Sequence, residues 1–164
     1  DKDALPRRIF FINGDNTMKK EKLLISACLL GKNCKYSGGN NGLSGEVISR
    51  LREKYSLVAV CPETAGGLPI PREPSERVGE RVLSRSGRDV TPEYRKGAEV
   101  TAELAVRFGC KTALMKAKSP SCGSGEIYDG TFSGVLIPGD GTATERLRAL
   151  GVKVYSEKEI EGLL

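Results

Sequence analysis

Leu57-Val58-Ala59-Val60-Cys61-Pro62-Glu63 is the stretch on which the fold turns. Its first four residues are apolar and two of them are β-branched, the profile of a short strand with no wet face. A strand apolar on both faces belongs in a parallel sheet covered by helices on either side. Cys61-Pro62 then ends the run, because proline cannot donate to a strand ladder. Upstream, Ser44 to Lys54 reads as a helix with Val47, Ile48 and Leu51 on one face. Before it, Leu23-Leu-Ile-Ser-Ala-Cys28 is a second apolar strand, entering a loop rich in glycine and asparagine from Gly31 to Gly42. The order is strand, helix, strand.

The alternation continues downstream. Residues 64–80 hold several prolines and glycines and read as a long functional loop. Arg81 to Thr91 reads as a hairpin turning at Ser86-Gly87. Thr91-Pro92-Glu93 predicts a helix start, with Thr91 as N-cap and an acid near the positive end of the dipole. Tyr94, Ala98, Thr101, Ala102 and Ala105 form its buried stripe, and Gly109 ends it. Thr112 to Lys116 is a third strand. Thr142-Ala-Thr-Glu145 has the pattern of a capping box before Leu147-Arg-Ala-Leu150, and Gly151 stops that helix. Val152-Lys-Val-Tyr155 is a fourth strand, and Ser156-Glu-Lys-Glu159 is a second capping box opening a terminal helix. The expected fold is α/β and Rossmann-like: a mostly parallel sheet of about four strands, flanked by helices, with a small β-hairpin insertion.

The chain has 164 residues, the length of one domain. Residues 1–17 look separate, since Met18-Lys-Lys-Glu-Lys22 reads like a natural start before the first strand. They are expected to be vector-derived, an upstream extension or an ordered arm that packs through Phe10-Phe11-Ile12. Residues 18–164 are expected to form a single α/β domain.

Composition narrows the chemistry. No apolar run approaches the roughly 20 residues of a membrane span. The net charge is +5, but Arg72 to Lys96 mixes seven basic with five acidic residues. That is an ion-pair surface rather than the one-sign cluster that phosphate binding favours. There is no histidine, which excludes Ser-His-Asp and Cys-His catalysis and any imidazole-bound metal. Five cysteines, without an apolar secretory region near the start, point to a reducing cytoplasm and to thiols or metal ligands rather than disulfides.

Cys28, Cys61 and Cys122 each lie at or just beyond the end of a predicted strand and before loop-forming residues. In a parallel sheet those ends share one edge, where ligands bind. Two readings stand at this point: three unrelated small buried residues, or three converging thiolates. Converging thiolates suit three corners of a [4Fe–4S] cluster with one iron left open as a Lewis acid. The absence of a CxxC pair argues against a closed four-ligand zinc knuckle. Cys110, at the start of a strand, is expected to be structural. Cys34, six residues after Cys28, is able to approach the same edge, and its ligation stays open.

Linked motifs add to this. Ser26-Ala-Cys-Leu-Leu-Gly31 with Cys34-Lys-Tyr-Ser-Gly38 comes first. Cys61-Pro-Glu63 with Gly66-Gly-Leu-Pro69 and Pro71-Arg-Glu-Pro74 follows, and then Ser119-Pro-Ser-Cys-Gly123 with Ile127-Tyr-Asp-Gly-Thr-Phe132. In this order, across roughly Lys22 to Glu157, the chain resembles the bacterial family once called domain of unknown function 523, which includes thiouracil desulfurases. Ser37 stands where that family often has an acid. The resemblance implies a [4Fe–4S] enzyme whose ligands are Cys28, Cys61 and Cys122. It implies hydrolytic, non-redox desulfuration of a thiolated pyrimidine, 2-thiouracil to uracil plus sulfide, with the substrate sulfur on the open iron.

Without histidine, a carboxylate is the natural general base, and Glu63 is tied to Cys61 by two peptide bonds. Ser119 and Ser121 are candidates to orient water or donate to the ring, or else simply form the turn. Arg72 and Glu73 either line the pocket or make salt bridges. Gly139-Asp-Gly-Thr142 reads as helix capping rather than an anion-binding loop. Two other functions remain consistent with these residues: a cluster-dependent enzyme acting on thiolated tRNA, and a non-catalytic metal- or cluster-binding protein.

Overall fold

The structure is a computed structural model that describes residues 9–11 and 20–164. The expected boundary at Met18, and Ile12, lie outside the described residues. Within the expected extension, Ile9–Phe11 forms a short strand, β1, antiparallel to residues 58–60.

β2 (Glu21–Ser26) is followed by a 3-10 turn, Ala27–Leu30, and then by α1 (Gly45–Lys54). Ser44 caps α1, its Oγ accepting from Val47 N at 3.3 Å. β3 (Tyr55–Val60) contains the apolar run that opens the sequence argument, and all six of its residues are buried. Next come a short helix α2 (Pro62–Ala65), a hairpin of β4 (Ser75–Val78) and β5 (Arg81–Ser84), and the long α3 (Thr91–Phe108). β6 (Thr112–Met115), a second hairpin of β7 (Glu126–Tyr128) and β8 (Leu136–Pro138), α4 (Thr142–Ala149) and β9 (Lys153–Ser156) complete the elements, before a 3-10 stretch at Glu157–Gly162.

The main sheet runs β1-β3-β2-β6-β9, and β2, β3, β6 and β9 are parallel. Strand residues alternate between two cores, as the two-residue period requires. Leu23, Ile25, Leu57, Ala59 and Leu114 pack with Leu51 of α1 and Leu163. Leu24, Val58, Val60, Ala113 and Met115 pack with Ala98 and Leu104 of α3 and Leu147 of α4. The chain builds outward from β2 to β3, then crosses to β6 on the other side of β2. That reversal is the switch point where open α/β sheets place their ligands.

Three local readings are corrected. The hairpin lies earlier than Arg81 to Thr91: β4 comes out of the expected long loop and pairs with β5 around Gly79-Glu80. The turn at Ser86-Gly87 exists, closed by Gly87 N to Ser84 O at 2.8 Å, but it carries only an isolated bridge, Leu83 to Asp89. A four-residue strand with one buried side chain is too short for its period to show. Thr91 is inside α3 rather than its cap: its Oγ1 accepts from Val82 N at 2.9 Å, and Asp89 Oδ1 receives Thr91 N at 2.9 Å. The Thr142–Glu145 capping box does not form: the N-cap is Gly141, and Thr142 Oγ1 is buried without a partner. The Ser156–Glu159 box does form. The β7–β8 hairpin had no signal in the sequence beyond its turn residues.

Candidate active site

The C-terminal ends of β2, β3 and β6 open on one cavity of about 410 Å³, lined by Cys28, Cys34, Cys61 and Cys122. Cys28 reaches it from the 3-10 turn after β2, Cys61 from the junction of β3 and α2, and Cys122 from the loop after β6. The three strand-end cysteines therefore converge, and they are near enough to feel one another's charge. Cys34 joins them at 8% exposure. Cys110 is buried in the core at the opposite sheet edge, where burial raises its thiol to about 11.

Each sulfur has its own surroundings. Burial pushes the Cys28 thiol up, opposed by Asn41 Nδ2, which donates to its sulfur at 3.5 Å. Burial raises Cys122 to about 12, opposed by the neighbouring Ser26 and Ser121 hydroxyls, Ser121 Oγ lying 3.6 Å from its sulfur. As a thiol, Cys61 donates to the Cys34 carbonyl at 3.7 Å. As a thiolate it accepts from the Cys34 thiol, and that bond holds it below the usual range.

The Cys122 loop is held from two sides. Ser119 Oγ accepts from Ser121 N at 3.2 Å and from Cys122 N at 3.0 Å. The first turn of α4 spends its free N–H groups on the same loop: Thr142 N donates to Pro120 O, and Ala143 N to Ser121 O, both at 2.9 Å. Thr144 Oγ1 donates to Cys122 O at 2.8 Å. The helix start at Gly139–Thr142 is thus neither an anion site nor a side-chain cap; backbone carbonyls take the place of both. Gly141 is required because a Cβ there would run into the Ser121 backbone.

Glu63 sits in the first turn of α2, and α2 lies unusually close to α3. A Cβ on Gly66 would collide with Glu93 O, and one on Gly97 with Pro62 O. The Glu63 carboxylate is divided between partners. Arg72 takes Oε1, through Nε at 3.1 Å and Nη2 at 3.0 Å. Ser121 Oγ donates to Oε2 at 2.8 Å. Ser119 Oγ is 3.0 Å from Ser121 Oγ, and its own lone pairs are occupied by the two N–H groups, so its proton points to Ser121. Arg72 Nη2 also donates to Cys34 O at 2.9 Å, which links the acid to the thiol cluster.

Arg72 therefore both lines the cavity and makes a salt bridge, the two readings that the sequence left as alternatives. Glu73 does neither: it accepts from Ser86 N at 2.9 Å and Ser86 Oγ at 2.8 Å on the hairpin turn. The charged stretch is only in part the solvated ion-pair surface expected: Arg81–Asp89 is exposed, but Arg72, Glu76 and Arg77 are largely buried. Several lining residues were missed, Tyr94 and Glu76 among them. Tyr94 is 2% exposed and its hydroxyl bonds Glu63. The stripe of α3 marked it as core, and the signal was its hydroxyl, which needs a partner once buried. Glu76, from β4, has no sequence signal at all.

The residues fit an iron–sulfur cluster on the chemistry of their donors. Three soft thiols face one space with no imidazole in the chain to compete. Among the described residues, no three His, Cys, Asp or Glu side chains group tightly enough for a single metal ion. A cluster, whose ligands sit on separate irons, accepts a wider spacing.

Comparison with known proteins supports this geometry. The family model described as 2-thiouracil desulfurase matches residues 23–159. The chain is 38% identical over 152 residues to the uncharacterized protein YbbK of Bacillus subtilis (strain 168), covering 87% of this chain and 99% of that one. It superposes with a TM-score of 0.84 on a solved [4Fe-4S]-dependent thiouracil desulfidase, TudS, at 46% identity, covering 88% of this chain and 95% of that one.

Proposed function

Because this chain belongs to the 2-thiouracil desulfurase family, we propose that it hydrolyses the carbon–sulfur bond of a thiolated pyrimidine, converting 2-thiouracil and water to uracil and sulfide. The observation that carries the reading is the meeting of Cys28, Cys61 and Cys122 with the Glu63–Ser121 pair at one cavity. Cys28, Cys61 and Cys122 would hold a [4Fe–4S] cluster. Such a cluster, with three thiolate ligands, supplies an open iron as a Lewis acid toward the substrate sulfur.

The protein's own groups handle the water and its proton. Glu63 is the general base. Its Oε1 is fixed by Arg72, which leaves Oε2 toward Ser121 and the cavity. Ser121 lines the cavity beside the acid, placed to hold the attacking water and pass its proton to Glu63. Ser119 is a positioning residue: it orients the Ser121 hydroxyl and shapes the turn that presents Cys122. The cavity suits a single heterocycle, in the range of pockets that enclose small molecules. That supports a free small-molecule substrate over nucleic acid. Residues 18–164 are the working domain in this reading. A reducing compartment such as the cytoplasm, where cysteine ligands stay reduced, is part of this reading.

The test is anaerobic reconstitution with iron and sulfide, metal and sulfide analysis, then turnover of 2-thiouracil. A full cluster with release of uracil and sulfide is expected. A full cluster without turnover would remove the substrate. Zinc or no metal would remove the cluster.

A further inference from the structure

The loop between β7 and β8 is fastened over the cavity by means that the reaction itself does not call for. Asp129 N donates to Val135 O at 2.9 Å and closes the loop. Phe132 lines the cavity from it, with φ at 57°, the left-handed region that bulky side chains avoid. Two contacts keep it there. The carboxylate of Glu76, only 8% exposed, accepts from Gly130 N at 2.9 Å and Phe132 N at 3.1 Å. The Arg85 guanidinium stands over the ring, 5.7 Å from its centroid. Gly130 also has a positive φ, 96°, and lies so close to β4 that a Cβ would strike the Val78 side chain.

A buried acid is thus committed to holding a strained aromatic residue at the wall of the cavity. Phenylalanine has no proton to move and no hydrogen bond to make. What it presents is an apolar π surface, and one face is already taken by Arg85. From this geometry, and resting on the function proposed above, we infer that Phe132 is the surface on which the flat conjugated ring of the substrate packs. Glu76 is the positioning residue that sets its place. The pair selects planar thiolated heterocycles over non-planar thiocarbonyl compounds, while Glu63, Ser121 and the thiols act at the sulfur-bearing carbon.

The experiment uses anaerobically reconstituted holo-protein, with 2-thiouracil both as substrate and as the ligand in calorimetric titration. Phe132→Leu keeps an apolar side chain and removes the aromatic face. It should weaken binding and raise KM about 10-fold, the effect of losing one stacked base, with a smaller change in kcat and unchanged iron content. Phe132→Tyr, which restores the face, should recover most of that loss. Glu76→Gln should raise KM in the same direction. An unchanged KM in Phe132→Leu, or a loss of kcat and iron with KM intact, overturns the inference. If the unmutated protein binds 2-thiouracil without turning it over, the proposed reaction falls and the affinities of the variants still decide the stacking. If it does not bind at all, both fall.

Discussion

Glu63 has two carboxylate oxygens in different surroundings, and its chemistry follows from the difference. Arg72 holds Oε1, and Ser121 donates to Oε2 at 2.8 Å. Glu63→Gln keeps the shape but cannot take a proton. Turnover of 2-thiouracil should fall roughly 100- to 10,000-fold, the usual worth of a general base, while the cluster absorption stays intact. An unchanged turnover number would reassign the base. Cys110 makes the contrasting case, a thiol in the core at the far edge of the sheet. Cys110→Ala should bind a full cluster and cost about 1 kcal/mol in denaturant unfolding; loss of iron would refute the placement. Glu63 was legible because sequence neighbours travel together: two residues from Cys61, it had to lie near that thiol. Ser121 and Arg72 were legible as site candidates but not as its partners. Tyr94, Arg72 and Ser121 come from three other segments, and nothing local in any of them names a carboxylate 58 residues away from Ser121.

At the scale of elements, the site depends on two close approaches of backbone. The first is α2 on α3 at Gly66 and Gly97. Gly97→Ala puts a methyl group into Pro62 O, so α2 must move and carry Cys61 and Glu63 with it. Overpacking of this kind should cost about 1–3 kcal/mol in chemical denaturation and lower turnover more than Cys110→Ala does. Equal stability and activity would show that α2 is free to shift. The second is the start of α4 on the Cys122 loop. Thr144→Val removes the donor to Cys122 O and leaves that buried carbonyl unpaired, about 1–3 kcal/mol, with lower iron retention on dilution into chelator. The second contact explains why the capping signal at α4 misled. Thr142 sits in a correct capping pattern, but tertiary packing supplied carbonyls to the helix N–H groups first. The Ser156 box, with no such competitor, formed as written.

For the molecule as a whole, the thiols meet because the sheet is parallel and its order reverses at β2. Cys28→Ala, Cys61→Ala and Cys122→Ala should therefore each abolish cluster binding in anaerobic reconstitution, although the three lie in separate segments. Retention of a full cluster by any one of them would remove that residue from the ligand set. The apolar runs at Leu23, Leu57 and Thr112, separated by helical periods, were enough to determine a parallel α/β sheet, and with it the shared edge of Cys28, Cys61 and Cys122. Short-range pattern carries that information because burial on both faces of a strand demands apolar residues throughout. The pairing of Glu63 with Ser121 and Arg72, the docking of α4 on the Cys122 loop and the clamp of Glu76 on Phe132 were decided only in three dimensions. Each joins polar groups that are ordinary by themselves, and a polar group acquires a partner only when folding has brought that partner within hydrogen-bonding distance.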